Sequence, residues 1–171
     1  KLKRNIPNQW KDLSHKDNRE EISIRAKNLN KREEQIDSRT ENERILEEDR
    51  NYFWFELDGE KKIFTENLSP GKQVYKEKLL NKKGIEYRNW EPFRSKLAAC
   101  IMNGLEEFPF REKSSVLYLG VSTGTTISHI SDIVGPKGMI FGVEHSSRVA
   151  RDFLDRVAVY RKNIVPIIQD A

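Results

Sequence analysis

A loop with two glycines, together with two acidic residues further along the chain, has the order and spacing expected of a nucleoside-binding site. The loop from Gly120 to Thr126 follows a short apolar run and precedes a helical pattern. Glycines let the backbone approach a ligand closely, and the N–H groups at the start of the following helix point toward it. Glu144 follows at roughly the offset from which an acid accepts hydrogen bonds from ribose hydroxyls. Asp170 ends the next predicted strand on the same edge, where an adenine would lie.

The spacing of the two glycines distinguishes between classes of nucleoside. A dinucleotide loop has the pattern G-x-G-x-x-G, in which the middle glycine makes room for a pyrophosphate. Here three residues separate Gly120 from Gly124, and Thr125 and Thr126 follow. This spacing favours a nucleoside without a pyrophosphate, of which S-adenosylmethionine is the common one. The alternative is a glycine-rich turn with solvated acids at the strand ends.

Lys96 lies on a predicted amphipathic helix that precedes the loop. Pro92 suits the first turn of this helix. Five apolar residues follow helical spacing: Phe93, Leu97, Cys100, Ile101 and Leu105. Lys96 lies at the edge of this stripe, so its stem is covered while its ammonium stays at the rim. Taken by itself, the pattern is typical of a surface lysine with no chemical role.

The elements that position these residues alternate between strand and helix. Short apolar runs at 116–119, 139–143 and 163–168 predict three parallel strands. Apolar residues at helical spacing predict a helix between successive strands. This order is typical of a right-handed parallel α/β unit. The loop, Glu144 and Asp170 then share the carboxyl edge of one sheet.

The composition divides the 171 residues into three zones. In residues 1–50, 25 residues are charged and few are apolar, which predicts a charged extension that is disordered or partly helical. Residues 51–90 alternate aromatic runs with turns such as Asp58-Gly59, which predicts a small antiparallel β-domain. Residues 91–171 hold the predicted helix and the α/β unit.

The composition also argues against several classes of protein and site. No apolar run approaches the ~20 residues of a membrane-spanning helix, and we expect neither a membrane partner nor a secretory signal. A single cysteine, Cys100, excludes an internal disulfide. Three scattered histidines and one cysteine give no metal-ligand spacing, so no metal is expected. The net charge of +4 permits a nucleic-acid partner without requiring one.

Four segments of the sequence are similar to the fibrillarin family. Ile85 to Ala99 resembles the segment that opens the methyltransferase domain of fibrillarins, and Val116 to Gly135 resembles their cofactor motif. Parts of 67–78 resemble their N-terminal β-domain, and Asn163 to Ala171 resembles their next motif. The resemblance spans roughly 51–171. It implies an α/β fold: a Rossmann-like S-adenosylmethionine-dependent methyltransferase, incomplete here, behind the β-domain and the extension.

The resemblance implies a subunit of a box C/D ribonucleoprotein. Fibrillarins transfer a methyl group from S-adenosylmethionine to ribose 2′-hydroxyls of rRNA and tRNA. They act with a Nop-family scaffold protein, a kink-turn-binding protein and a guide RNA that selects the target RNA. Lys96 matches the lysine of the family's catalytic tetrad. The loop residues Gly120, Gly124, Thr125 and Thr126 would bind the cofactor, with Thr125 and Thr126 in contact with it. Glu144 and His145 would hold its ribose end, and Asp170 and Ala171 would flank the adenine.

The same resemblance carries further expectations. The family's later strands and the rest of its tetrad do not occur in this sequence, so we expect the chain alone to be inactive or nearly so. The first parallel strand should then keep an open edge and an uncovered flank. Arg88 and Arg94 are expected to contact RNA. Because an arginine/glycine-rich tail is absent, an archaeal cytoplasm is favoured over a nucleolus.

Two other functions stay open at this stage. One is a non-catalytic module that binds the scaffold protein or RNA and keeps a vestigial cofactor site. The other is a nucleotide-dependent oxidoreductase, against which the glycine spacing argues. Calorimetry with S-adenosylmethionine separates the enzyme from the module, and a nicotinamide titration tests the oxidoreductase.

Overall fold

The computed structural model describes residues 44–49 and 52–170. Residues 1–43, which carry most of the expected charged extension, lie outside the described residues, and so does the predicted site residue Ala171. Within the described residues, no helix is long and apolar enough to span a bilayer.

The first sheet of the described chain has five antiparallel strands. They are β1 (Arg44–Asp49), β2 (Tyr52–Leu57), β3 (Glu60–Glu66), β4 (Leu79–Lys82) and β5 (Ile85–Asn89), in the spatial order β1-β2-β3-β5-β4. Asp58 and Gly59 turn the chain between β2 and β3 with φ angles of +52° and +77°. Positive φ at both positions is what a two-residue hairpin turn of type I′ requires. The predicted antiparallel sheet is therefore confirmed.

This sheet begins earlier than the sequence predicted. We expected residues 1–50 to be a disordered or partly helical extension, whereas Arg44–Asp49 form β1 and pair with β2. Ile45 lies opposite Phe55 in this register. An edge strand tolerates many charged residues because it has a neighbour on one side only, so its composition did not reveal it. The division of the chain into three zones stays a prediction.

Strand β4 is shorter than predicted, because a side chain captures the backbone before it. The sequence predicted a strand from Val74 to Leu80, but β4 begins at Leu79. The Glu77 carboxylate accepts the N–H groups of Val74 at 3.0 Å and Tyr75 at 2.8 Å. These donors are therefore lost to any strand ladder.

Helix α1 (Lys96–Met102) begins later than the sequence predicted. Pro92–Arg94 form a separate turn of 3-10 helix, and Ser95 caps α1. Phe93 consequently lies outside the helix and is 99% exposed, and Cys100 is exposed as well. The predicted apolar stripe is wrong at these two positions.

The predicted parallel α/β unit is confirmed. Its elements in chain order are β6 (Ser115–Leu119), α2 (Thr125–Val134), β7 (Met139–Val143), α3 (Ser147–Arg156) and β8 (Ile164–Ile167). The strands are parallel and lie in the order β6-β7-β8. Their carboxyl ends therefore meet at one edge.

The two faces of the parallel sheet differ in burial. On one face the strands pack against α2 and α3 in a core formed by Val121, Ile127, Ile130, Val134, Ile140, Phe153, Val157 and Ile164. On the other face Leu117 and Leu119 are 66% and 58% exposed, and Phe141 is 40% exposed. Strand β6 also has a neighbour on one side only. Among the described residues, the expected open edge and uncovered flank are therefore confirmed.

A buried ionic cluster joins the first sheet to α2. Arg88 of β5 contacts the carboxylates of Glu77 at 2.8 Å and of Asp132, on α2, at 2.9 Å. Arg161, which precedes β8, contacts Asp132 at 2.9 Å. All four side chains are at most 2% exposed. The expectation that Arg88 contacts RNA is therefore wrong, since its guanidinium is paired inside the protein.

His129 of α2 lies in the same interface. It stacks on Trp90 with ring centroids 4.9 Å apart. Its two ring nitrogens lie 2.8 Å from the Thr65 hydroxyl oxygen and 2.7 Å from that of Tyr75. Burial, helped by two nearby guanidinium charges, lowers the pKa of His129 well below its usual value. The folded protein therefore holds this ring neutral.

Acidification from about pH 7.5 to about pH 5 is expected to lower the free energy of unfolding by about 2 kcal/mol through His129 alone. The unfolded chain protonates this ring below pH ~6.5. The folded chain does not, so protons stabilise the unfolded state. Urea denaturation at the two pH values measures the difference. The His129→Gln variant should lack this pH-dependent difference, whereas His145→Gln, which replaces an exposed ring, should retain it. A free energy of unfolding that is equal at the two pH values in the unsubstituted protein would contradict the neutral ring.

Candidate functional site

The three parallel strands bring the loop and the acids to one edge. The Gly120 N–H donates to the Val143 carbonyl at 2.9 Å, and the Glu144 N–H donates to the Ile167 carbonyl at 2.9 Å. The loop therefore lies beside Glu144, and Glu144 lies beside the segment that leads to Asp170. Asp170 is exposed and follows the end of β8 by three residues.

The two loop glycines serve different purposes. Gly124 has a φ of +92°, and a Cβ there would lie 2.6 Å from Val157 Cγ2 and 3.0 Å from Phe153 Cδ2. Gly120 has a φ of +74°, but a Cβ there would meet nothing within 4 Å. The loop is therefore packed tightly on the α3 side at Gly124, whereas the space beside Gly120 is open to a ligand.

Gly124→Ala is expected to lower the free energy of unfolding by about 2–4 kcal/mol, because left-handed strain and overpacking act together. Gly120→Ala is the matched control, since it adds the same methyl at a positive φ with no clash. Its expected cost is about 1–2 kcal/mol, from strain alone. Urea denaturation of both variants measures the two losses. Equal losses would contradict the packing described for Gly124.

The Glu144 carboxylate is held by the backbone on both sides. Its Oε2 accepts the Ser122 N–H at 2.8 Å, and its Oε1 accepts the Ser146 N–H at 2.9 Å. These bonds, first that of Ser146 and then that of Ser122, lower the pKa of Glu144. The residue is 6% exposed. An ionised carboxylate is thus fixed against the loop, and each oxygen has capacity for a further donor.

A cavity of about 720 Å³ opens between α1, the end of β6 and the loop. Its lining includes four predicted site residues, namely Lys96, Gly120, Thr125 and Thr126. Four others lie outside its lining, namely Gly124, Glu144, His145 and Asp170. The predicted site is therefore divided between a walled cavity and an acidic edge, which meet at Ser122, a lining residue bonded to Glu144.

The cavity carries two cations on the α1 side. Lys96 is exposed and lines the cavity. Arg94 lines it too, and its guanidinium carbon lies 5.7 Å from the centroid of the Tyr75 ring. With the N-terminus of α2 in the same wall, these groups favour negative charge that develops on a bound hydroxyl. The expectation that Arg94 contacts RNA stays a prediction.

Sequence reasoning missed Ser95. Its Oγ accepts the Ala98 N–H at 3.3 Å, which caps α1, and also lies 3.0 Å from the Thr126 hydroxyl oxygen, which donates to it. A serine just before an apolar helical run is an N-cap signal. Pro92 obscured this signal because it also suits a first helical turn.

The described site can hold a sugar and act on a hydroxyl. The fixed carboxylate suits hydroxyl or amino donors and repels phosphate, while the open space at Gly120 admits a ligand close to the backbone. The ammonium of Lys96 borders the same cavity. This combination favours a nucleoside donor at the edge and a second, hydroxyl-bearing substrate beside α1.

Comparisons with known proteins identify one family to which this chain is similar. Residues 43–171 match the family model described as Fibrillarin. A fibrillarin-like rRNA/tRNA 2′-O-methyltransferase from Thermococcus onnurineus is 54% identical over 120 residues, which are 70% of this chain and 53% of that protein. This chain spans about half the length of the curated relatives it matches.

Two solved structures match the described fold. Aeropyrum pernix fibrillarin in complex with natively bound S-adenosyl-L-methionine has a TM-score of 0.71 and 47% identity, over 74% of this chain and 56% of that one. A chain of a fibrillarin/Nop5p complex has a TM-score of 0.59 and 38% identity, over 71% of this chain and 52% of that one.

Proposed function

The chain belongs to the fibrillarin family, and on this basis we propose that the whole protein transfers a methyl group from S-adenosylmethionine to a ribose 2′-hydroxyl of RNA. The observation that carries the proposal is the contact between the glycine loop and the ionised Glu144 carboxylate, 2.8 Å from the Ser122 N–H to Oε2. This contact stands beside the cavity that Lys96 lines.

The residues of the carboxyl edge suit an adenosyl group. The Glu144 oxygens have capacity to accept ribose hydroxyls, and its ionised state disfavours a phosphorylated ligand. The open space at Gly120 allows close approach of the backbone. Asp170, on the same edge, would flank the adenine. His145 lies with its Nδ1 3.5 Å from Glu144 Oε1 and would line the ribose end.

Lys96 would act on the other substrate. When bound, S-adenosylmethionine supplies an electrophilic methyl on a sulfonium, which is already a good donor. The task of the protein is to align the RNA hydroxyl and ease the loss of its proton. The Lys96 ammonium stabilises negative charge that develops on the 2′-oxygen.

The partners follow from the same family. The structure of a fibrillarin/Nop5p complex supports a Nop-family scaffold as the partner of the whole protein. A guide RNA would select the target RNA, and a kink-turn-binding protein would organise the guide. The proposed assembly is therefore a box C/D ribonucleoprotein in which this chain supplies the methyl-donor site.

Glu144→Ala is expected to weaken S-adenosylmethionine binding by about 10- to 100-fold, the worth of hydrogen bonds to a charged group. Isothermal titration calorimetry on the whole protein measures the dissociation constant. Glu144→Gln keeps the shape of the side chain and should weaken binding as well, because its amide group presents N–H donors toward the Ser122 or Ser146 N–H.

Asp155→Ala provides the control, since it removes an exposed carboxylate from α3. It should leave the dissociation constant unchanged. A whole protein that folds but does not bind S-adenosylmethionine would instead support the non-catalytic module. Binding that tolerates both Glu144 variants would place the donor elsewhere.

A further inference from the structure

The starts of two helices meet at one buried hydroxyl. Ser95 is 3% exposed, and its Oγ caps α1 through the Ala98 N–H at 3.3 Å. The same Oγ accepts the Thr126 hydroxyl at 3.0 Å. Thr126 is the second residue of α2, directly after the glycine loop. The hydrogen bond thus links the helix that carries Lys96 to the helix that follows the loop.

The link lies next to Lys96 in the chain. Lys96 is the first residue of α1, next to Ser95, and α1 has only seven residues. Its buried residues Ala98 and Ile101 pack in the core, and the Ser95 side chain bonds the first turn to the start of α2. Lys96 and Thr126 line the same cavity, so a rotation of this turn moves the ammonium within the cavity.

We propose that Ser95 and Thr126 form a positioning pair that holds Lys96 toward the methyl donor. This inference rests on the proposed function. In this proposal the Thr126 hydroxyl bonds the cap of α1, whereas the family resemblance implied that Thr126 contacts the cofactor. Misplacement of a reacting group by about 1 Å slows the reaction roughly 100-fold.

Thr126→Val tests the pair because it removes the hydroxyl, conserves volume and leaves Ser95 free to cap α1. In the whole protein assembled with its ribonucleoprotein partners, we expect the single-turnover rate of methyl transfer to fall about 10-fold. This is less than the roughly 100-fold loss that accompanies a misplacement of about 1 Å. The dissociation constant of S-adenosylmethionine should change by less than about twofold. The Thr126→Ser variant keeps the hydroxyl and should transfer the methyl group at the rate of the unsubstituted protein.

A double-mutant cycle separates positioning from a general structural role. If Thr126 acts through Lys96, Thr126→Val should have no effect on rate in a Lys96→Ala background. An equal fall in rate in that background, or weaker cofactor binding with an unchanged rate, would overturn the proposal.

Hydrogen exchange gives a readout that does not need activity. Loss of the pair should speed exchange of the Ala99 N–H, which bonds the Ser95 carbonyl at 3.0 Å, about 10-fold more than exchange within α2. Unchanged exchange would overturn the positioning pair, even if the unsubstituted protein transferred no methyl group. Absence of transfer by the unsubstituted assembly would instead count against the proposed function.

Discussion

Replacing Asp132 by alanine is expected to lower the free energy of unfolding by about 3–5 kcal/mol. Its Oδ2 pairs with the Arg88 guanidinium and its Oδ1 with the Arg161 guanidinium, each at an N–O distance of 2.9 Å. It also accepts the Thr65 hydroxyl at 2.9 Å and the Leu68 N–H at 3.0 Å. Removal leaves two buried guanidinium groups to share the single carboxylate of Glu77.

Urea denaturation measures this loss. Asp152→Ala is the control, because it breaks a half-exposed pair with Arg156 at 4.0 Å, and its expected cost is about 0–1 kcal/mol. Asp132→Asn keeps the shape and should fall between the two. Similar losses for Asp132→Ala and Asp152→Ala would show that the buried cluster contributes no more than a surface pair.

Lys96→Ala is expected to slow methyl transfer at least about 100-fold while leaving cofactor affinity within about twofold. In the proposed mechanism the ammonium stabilises the developing 2′-oxygen, so its loss should affect the transition state and not the binding of the donor. The measurement is single-turnover transfer of labelled methyl to a guided RNA by the whole protein in its assembly, with calorimetry beside it.

Two further variants sharpen this test. Lys137→Ala removes a lysine in the exposed turn between α2 and β7 and should leave the rate unchanged. Lys96→Arg keeps the charge but spreads it over a planar group, so it should recover only part of the rate. Loss of affinity equal to the loss of rate in Lys96→Ala would instead make Lys96 a binding residue.

The parallel half of the fold was predictable because its signals are local. The apolar runs of β6 and β7 and the helical spacing of α2 and α3 depend on near neighbours in the chain, as do the turns at Asp58-Gly59. Strand β1 was missed because an edge strand is rich in charge, and β4 was overextended because the capture of Val74 and Tyr75 by Glu77 is a side-chain event.

The site was predictable in its arrangement along the sheet edge but not in its contacts. Strand order alone brings the loop beside Glu144, whereas the bond from Ser122 to Glu144 depends on the local turn. Arg88 looked like an RNA contact because its sequence neighbours give no sign of Asp132, 44 residues away and paired with it. The hydrogen bond from Thr126 to Ser95 was not predictable either, because nothing in the segment around Thr126 points to Ser95.

The shared carboxylate of Asp132 also constrains how this family member evolves. Loss of Arg88, Asp132, Arg161 or Glu77 alone leaves an uncompensated buried charge, whereas joint replacement of buried ion pairs by apolar residues is often neutral. Each single replacement on the way from the charged to the apolar cluster is therefore expected to be strongly destabilising. Lineages should therefore inherit the four charges together, as an entrenched trait.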